Sequence, residues 1–267
     1  MSEKPNCRLA IVGAGRMGAA VLTGALRAGV ITASDAGIYH ENALRGIELA
    51  ERHGVRPLDE DDLATSERIL IAVKPQSFAG LADRIARPDG SYISIMAGVS
   101  VATLSSRLGS SRVVRAMPNL GARVGLSSTA LASAGPAPNA DFRFAARLFE
   151  AIGSVHHLPE ELFDAFTGMA GSGPAFAAVV AEALADGGVR VGLPRAQSRE
   201  LARQVLLATA MLLEADTPAA LKDEVASAGG TAIAGVLALE KHGLRYSVMQ
   251  AVEQAALRAS ELNGREK

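Results

Sequence analysis

The sequence predicts an α/β domain, doubly wound around a mainly parallel sheet, followed by an all-α domain. Three observations predict it. A complete GxGxxG, Gly13-Ala14-Gly15-Arg16-Met17-Gly18, stands directly between the apolar run Leu9-Ala10-Ile11-Val12 and a helical pattern. Short β-branched runs then alternate with amphipathic stretches as far as about His157, the signature of repeated βαβ units. Past Leu158 those runs largely stop and long Ala/Leu-rich segments take over. The domains are therefore placed at 1–158 and 159–267, and a chain of 267 residues has room for both.

In chain order, strands are expected at 9–12, 38–40, 69–73, 92–96, 113–117 and 154–157, where β-branched and apolar residues cluster. Helices are expected between them at 17–27, 42–53, 76–86 and 138–151, from apolar residues recurring at helical spacing. The second half reads as helices at 174–191, 194–215, 217–226, 231–241 and 246–262. Their ends carry the right punctuation: Gly192 before Pro194, Pro218 just inside a Thr217 cap, and Gly243 after Lys241. Stretches such as 175–185 and 205–213 are apolar around much of the helix circumference, more than one small bundle can bury. A subunit interface, and hence a homodimer, is the expected sink.

Bulk composition narrows the function classes. With 49% hydrophobic and 21% charged residues the chain is globular rather than disordered. Aromatics are only 4% and Trp is absent, so there is no platform for stacking nucleobases. A net charge of -1, with no run of Lys or Arg longer than two, offers no landing surface for nucleic acid or an anionic membrane. The expected partner is a small molecule. The lone Cys7 cannot form an intrachain disulfide, which suits a reducing cytoplasm. The N-terminal residues are polar, and the apolar stretch after them is broken by glycines and Arg16, so neither a secretory signal nor a membrane span is expected there.

The glycine loop carries the first chemistry. In a dinucleotide-binding (Rossmann) loop, Gly13 makes the tight turn, Gly15 lets backbone approach a pyrophosphate, and Gly18 lets helix touch strand, with Arg16 and Met17 opening the helix whose N-terminus faces the phosphates. A plain structural turn is the competing reading. The residue that discriminates the adenosine ribose is sought about 20 residues on, in Ile38-Tyr39-His40-Glu41-Asn42. His40 there, with Asn42 following, points to NADPH. Glu41 would favour NADH if the register moves by one, so both cofactors stay open. Ala72-Val73-Lys74-Pro75 and Ala97-Gly98 close two further strands, where open α/β sheets bind ligands. Lys74 is either a cofactor contact or a solvated loop lysine.

Taken together, Ala72-Val73-Lys74-Pro75-Gln76, Arg115-Ala116-Met117-Pro118-Asn119, Gly171-Ser172-Gly173-Pro174-Ala175-Phe176, Glu182-Ala183-Leu184-Ala185-Asp186-Gly187-Gly188-Val189 with Gly192-Leu193-Pro194-Arg195, and Leu221-Lys222-Asp223-Glu224-Val225 running into Gly229-Gly230 strongly resemble the pyrroline-5-carboxylate reductase family. The similarity is ordered and spans nearly the whole chain. It implies NAD(P)H-dependent reduction of the C=N bond of 1-pyrroline-5-carboxylate to L-proline, with Asn119 among the cofactor contacts. It also implies a dimer with interlocking C-terminal helices, which can assemble further.

Chemistry agrees with that implication. A protonated cyclic imine is already electrophilic at carbon, so hydride transfer needs positioning and exclusion of water more than a strong acid. The substrate carboxylate needs an anion site. Ser227-Ala228-Gly229-Gly230-Thr231-Ala232, opening onto a helix, offers backbone N–H groups and a favourable dipole, an ordinary N-cap being the bland alternative. Gly229, Gly230, Thr231 and Ala232 are the candidate substrate-binding residues, and Thr231 with Ser227 the candidate catalytic pair. Two departures from the family stand out. The family has Thr where this chain has Ala232, and that hydroxyl is the one associated with the ring nitrogen, so its role passes to Thr231, to a water or to nothing. Leu120-Gly121 replaces the family's usual Thr-Pro after Asn119.

Other readings are narrower. The stretch Gly168-Met169-Ala170-Gly171-Ser172-Gly173 resembles the glycine-rich helix start of β-hydroxyacid dehydrogenases, but that chemistry needs a Lys one turn on, where Ala177 stands. A six-membered imine such as 1-piperideine-2-carboxylate, or a non-catalytic dinucleotide-binding homologue, remains an alternative. His156-His157 lacks partners at ligand spacing, Asp59-Glu60-Asp61-Asp62 reads as a helix start, and Glu182 with Asp186 is an i, i+4 pair facing a cavity or solvent. No metal site is expected.

Overall fold

In the computed structural model, which describes residues 7–135 and 139–264, one sheet contains β1 (Leu9–Val12), β2 (Ala36–Tyr39), β3 (Arg56–Pro57), β4 (Arg68–Ile71), β5 (Ser91–Ser94), β6 (Val113–Met117), β7 (Ser127–Ser133) and β8 (Gly153–His157). The strand order is β3-β2-β1-β4-β5-β6-β7-β8. All neighbours pair in parallel except β6 with β7. Strands β1, β2, β4 and β5 are buried along their whole length, which is why, Arg68 at the start of β4 apart, they read as largely apolar or small-residue runs rather than alternating ones. The connections are α1 (Arg16–Arg27), α2 (Ala43–His53), α3 (Glu60–Thr65), α4 (Phe78–Ile85), α5 (Val101–Leu108) and α6 (Ala140–Glu150).

Alternate residues of β1 feed two separate cores. Leu9 and Ile11 join Val21 and Leu22 of α1 and Leu148 and Phe149 of α6. Ala10 and Val12 join Phe78 and Leu81 of α4 and Leu104 of α5. Helices thus cover both faces, and the doubly wound, mainly parallel expectation holds. The strand order reverses between β1 and β4, so the loop after β1 opens at a topological switch point.

Among the strands and their connections up to β8, three elements escape the sequence pattern. β7 is a seven-residue strand of Ser, Thr, Ala and Leu, a composition of low β-propensity that only pairing with β6 and β8 makes extended. β3 is two residues of an edge strand, and α5 is a short helix that Ser100 caps by accepting from the Thr103 N–H. The expected strand 38–40 ends one residue early, leaving His40 in the following loop. The expected helix 138–151 begins at Ala140 under an Asn139 cap, and Pro138 lies outside the described residues. The acidic run does open a helix: Asp59 and Asp62 form a reciprocal capping box on α3.

Further along follow α7 (Phe163–Phe166), a π-helical turn Thr167–Gly171, then α8 (Gly173–Arg190), α9 (Arg195–Leu212), α10 (Pro218–Val225), α11 (Thr231–Lys241) and α12 (Leu244–Leu262). The chain divides into two compact units after Gly171, with residues from Ala256 onward grouped with the first. In the second unit α8 and α9 pack closely at Gly188, where an added Cβ would stand 2.7 Å from Ser198 Oγ. Little else there is covered: among its described residues only Ala185, Ser198 and Ala202 are fully buried. Val179, Met211, Leu237 and Met249, from four different helices, are each more than 60% exposed. A face this apolar demands a partner.

One buried ionic cluster ties the first unit together. Asp141, in the first turn of α6, accepts from Arg112 Nε at 2.8 Å and Arg68 Nε at 3.2 Å, and the Arg68 guanidinium lies 4.4 Å from the Phe144 ring centre. Burial pushes the Asp141 carboxyl up, but the Arg112 hydrogen bond and the charges of Arg112 and Arg68 outweigh it and hold the carboxyl below its usual range. A depressed carboxylate pKa stabilises the fold above the unfolded value and loses that contribution as pH falls through the folded one. Asp141→Asn is therefore expected to lower unfolding free energy by about 2–3 kcal/mol at neutral pH. Urea titrations at pH 7 and near pH 3 check this: the gap between variant and parent should shrink on acidification.

Candidate functional site

The glycine loop is built by contact rather than by side chains. Gly13 adopts φ +88°, and a Cβ there would lie 2.9 Å from both the Ala72 carbonyl carbon and Val73 Cγ1. At Gly18 a Cβ would lie 2.8 Å from Gly13 O and 3.1 Å from Ala72 Cβ. These two glycines are required by the fold. Gly15 differs: a Cβ there meets nothing within 4 Å. It is the N-cap of α1, no side chain caps that helix, and no acidic residue occupies its first turn. A helix N-terminus beside open space is the arrangement that accepts a phosphate.

A cavity of about 430 Å³ opens over this loop, lined by Gly13, Gly15, His40, Ala72, Val73 and Lys74 from the expected set and by Ala14 between the two glycines. Tyr39, Glu41, Arg45 and Ser77 line it too. Of these, Arg45 and Ser77 have only a weak sequence signal, a basic residue in the first turn of the helix after β2 and a hydroxyl in the turn after β4. The cavity's basic groups, Arg45 and Lys74, together with the uncapped turn at Gly15, fit a dinucleotide.

The remaining expected cofactor contacts take other positions. Arg16 is exposed, and Met17 packs partly against the α1 core. Asn42 caps α2: its Oδ1 accepts from the Arg45 N–H at 3.0 Å, and its own N–H donates to His40 Nδ1 at 3.0 Å, which fixes the imidazole at the cavity edge. Pro75 opens the tight turn Pro75–Ser77 leading into α4. Ala97 and Gly98 are exposed in the loop after β5, where Gly98 has φ +79° and faces Asn263 Oδ1. Asn119 donates from Nδ2 to Ala170 O at 2.8 Å inside the π-helical turn, and its Oδ1 accepts from the Gly121 N–H at 3.0 Å. That contact explains Gly121: a proline has no N–H to give, and a Cβ there would collide with Leu126 O at 2.2 Å.

In the second unit, the turn Ser227-Ala228-Gly229-Gly230 closes by a Gly230 N–H to Ser227 O bond of 3.0 Å, with Gly229 at φ +71°. Gly230 is the extended N-cap of α11, and no side chain caps this helix either. The Ser227 hydroxyl stands 2.5 Å from where a Gly230 Cβ would be, so it lies against the mouth of α11. Thr231 opens the helix and is exposed, and Ala232 behind it is half-buried. This element presents backbone N–H groups, a dipole and two hydroxyls, which is anion-binding equipment.

Other candidates are committed elsewhere. Asp186 pairs with Arg195. His156 Nε2 lies 3.2 Å from Ser154 Oγ, and His157 meets the Phe142 ring edge-on. A larger open groove of about 1030 Å³ runs between α5 and the ends of β7 and β8, but its Glu160 already accepts from Arg115 Nη1 at 2.7 Å and from the Val101 N–H at 2.8 Å. Among the described residues no cluster of three or more His, Cys, Asp or Glu could hold a metal.

Comparison with known proteins follows this division. Residues 160–262 match the family model "Pyrroline-5-carboxylate reductase dimerisation", and residues 8–98 match "NADP oxidoreductase coenzyme F420-dependent". The pyrroline-5-carboxylate reductase of Thermus thermophilus is 52% identical over 256 residues, covering 96% of this chain and 98% of that protein. The Synechocystis enzyme of the same name is 40% identical, again over 96% of this chain and 98% of its own. Among solved structures, a Coxiella burnetii pyrroline-5-carboxylate reductase superposes with a TM-score of 0.87 at 26% identity, covering 96% of this chain and 98% of that one. The Plasmodium falciparum pyrroline carboxylate reductase, with NADP bound, superposes with a TM-score of 0.81 at 28% identity over 97% and 98%.

The geometry separates two glycines that a motif treats alike. Gly15→Val is expected to leave the melting temperature essentially unchanged while weakening dinucleotide binding about a hundredfold or more, because the added side chain fills ligand space only. Gly13→Val is expected to unfold the loop as well. Calorimetric titration beside a thermal melt distinguishes them, and normal binding by Gly15→Val would discredit the loop.

Proposed function

The chain belongs to the pyrroline-5-carboxylate reductase family, and on that premise we propose that it reduces the C=N bond of 1-pyrroline-5-carboxylate to L-proline with NADPH, NADH being the alternative donor. One observation carries the geometric side of this reading: Gly15 faces open space at an uncapped helix start, within a cavity that also presents Arg45 and Lys74. The reduced nicotinamide, when bound, supplies the hydride. The chain's own residues then have three tasks: hold the dinucleotide, hold the imino acid, and leave a proton available to the ring nitrogen.

The first task falls to Gly13, Gly15 and Gly18 with His40, Ala72, Val73 and Lys74 around them. Arg16, Met17, Asn42, Pro75, Ala97, Gly98 and Asn119 shape the surrounding loops. The second falls to Gly229, Gly230, Thr231 and Ala232: the Gly230 N–H is spent on Ser227 O in closing the turn, and the Thr231 and Ala232 N–H groups at the start of α11 suit a carboxylate. The third is where this chain departs from its family. A methyl group stands at Ala232, so Thr231 and Ser227 are the hydroxyls left at that helix mouth. A protonated imine needs little further acid, so a chain with a displaced hydroxyl can still turn over.

Residues 1–158 serve as the dinucleotide domain and 159–267 as the dimerisation and substrate domain in this reading. The stretch Glu160–Arg190 has the length and composition of a membrane span, with little of its apolar part buried, but the dimerisation match supports a partner subunit as its cover. We place the protein in the cytoplasm as a homodimer able to assemble further, with a small-molecule substrate and neither nucleic acid nor membrane as partner. The Ala232 methyl also favours a second reading, a six-membered imine such as 1-piperideine-2-carboxylate.

Loss of nicotinamide absorbance with each imine, using NADPH and NADH in turn, tests the assignment. The highest kcat/KM is expected for 1-pyrroline-5-carboxylate with NADPH, and tight NADPH binding without turnover on any cyclic imine would sink the enzyme reading. Thr231→Ala is expected to cut kcat by about 10²-fold with cofactor affinity nearly unchanged. Undiminished turnover would remove Thr231 from the mechanism.

A further inference from the structure

Glu41 sits awkwardly for a cavity that takes NADPH. It stands in the loop directly after β2 and lines the cavity beside His40, where a free carboxylate would attract ribose hydroxyls and repel a 2′-phosphate. The carboxylate is engaged from outside the cavity: Arg84 Nη2 of α4 donates to Glu41 Oε1 at 2.5 Å. Three further contacts aim that guanidinium. Nη1 reaches the Glu60 carboxylate and the Tyr39 hydroxyl, each at 3.1 Å, and Nε donates to Gly80 O at 3.2 Å. The Tyr39 hydroxyl in turn donates to Glu60 at 3.1 Å. Arg84 is thus a hub on α4, with a side chain one-third exposed, while the Glu41 side chain is 65% exposed.

We propose that Arg84 is a positioning residue for cofactor choice: it draws the Glu41 carboxylate toward α4 and offsets part of its charge while also holding Glu60, so that Lys74, with Arg45 paired to Glu48 beside it, sets the field at the adenosine end of the cavity. An acidic residue behind β2, by itself a mark of NAD, is thereby made compatible with a 2′-phosphate. Arg84 does not line the cavity and acts through Glu41 alone. The inference rests on the NADPH reading above.

The test compares adenosine 2′,5′-bisphosphate with AMP by calorimetric titration of the protein without substrate, since the ratio of their Kd values isolates the 2′-phosphate. Wild type is expected to prefer the bisphosphate. Arg84→Met should narrow that preference about fivefold by leaving Glu41 free and charged, with AMP affinity changed less than about twofold. Adding Glu41→Gln to Arg84→Met should restore the preference to within about twofold of wild type, which a merely structural role for Arg84 would not produce. Should Arg84→Met fail to fold, Arg84→Gln, which also removes the charge, carries the same comparison with and without Glu41→Gln. An unchanged ratio in the single variant, or no restoration in the double, overturns the assignment of Arg84 alone. A wild type that does not prefer the bisphosphate overturns the NADPH reading and this inference with it.

Discussion

The first unit depends on one close approach of backbone to backbone, where Gly13 and Gly18 lie against Ala72. No Cβ fits at either glycine, so the turn after β1 is pressed directly onto the end of β4. The Ala72 N–H to Val12 O bond of 2.8 Å holds the two strand ends level at the point where the strand order reverses. The two core clusters on either face of β1 then fix the sheet's position against α1 and α4. Only because Gly13 and Gly18 absorb the steric demand can Gly15 be left facing empty space, and that space is what a ligand can use.

The second unit obeys a different constraint. Its helices expose Val179, Met211, Leu237 and Met249 because five helices with so few buried residues cannot close a core by themselves. Membership of a family with a dimerisation domain resolves this. The apolar stretch beginning at Glu160 passes a length-and-composition test for a membrane span for the same reason: a helix covered by a partner subunit looks, in one subunit, like a helix covered by lipid.

Much of this was legible in the sequence because it is local. Strands β1, β2 and β4 announce themselves as apolar runs, the glycine loop by spacing, and the acidic capping box by residues three apart. β7 was not legible, since Ser127–Ser133 becomes a strand only through pairing with β6 in one direction and β8 in the other. The cavity's chemistry was half legible. His40 and Lys74 follow from position after strands, but the state of Glu41 is set by Arg84, 43 residues away and on another helix. No periodicity encodes such a contact. Gly121 shows the converse: read alone it is a departure from the family, whereas its N–H bond to Asn119 and the nearness of Leu126 O make it the residue that this turn requires.

The absence of a convergent acid–base cluster in the sequence follows from the chemistry proposed. Reducing a protonated imine moves a hydride onto a carbon that is already electron-poor, so binding groups carry most of the work and a strong proton donor little of it. Binding groups of this kind are backbone N–H groups at helix starts; α4, α8 and α9 also start without a side-chain cap, but α1 and α11 differ from them in having glycine at the N-cap. A helix start satisfied by its own Ser, Thr, Asp or Asn, as in α2, α3, α5 and α6, has one fewer N–H for a ligand. Glycine at the N-cap of α1 and again of α11 therefore reads as a shared device, one for phosphate and one for carboxylate. On the proposed assignment, the helix mouth that would hold the substrate carboxylate needs no hydroxyl at Ala232, since its donors are backbone N–H groups.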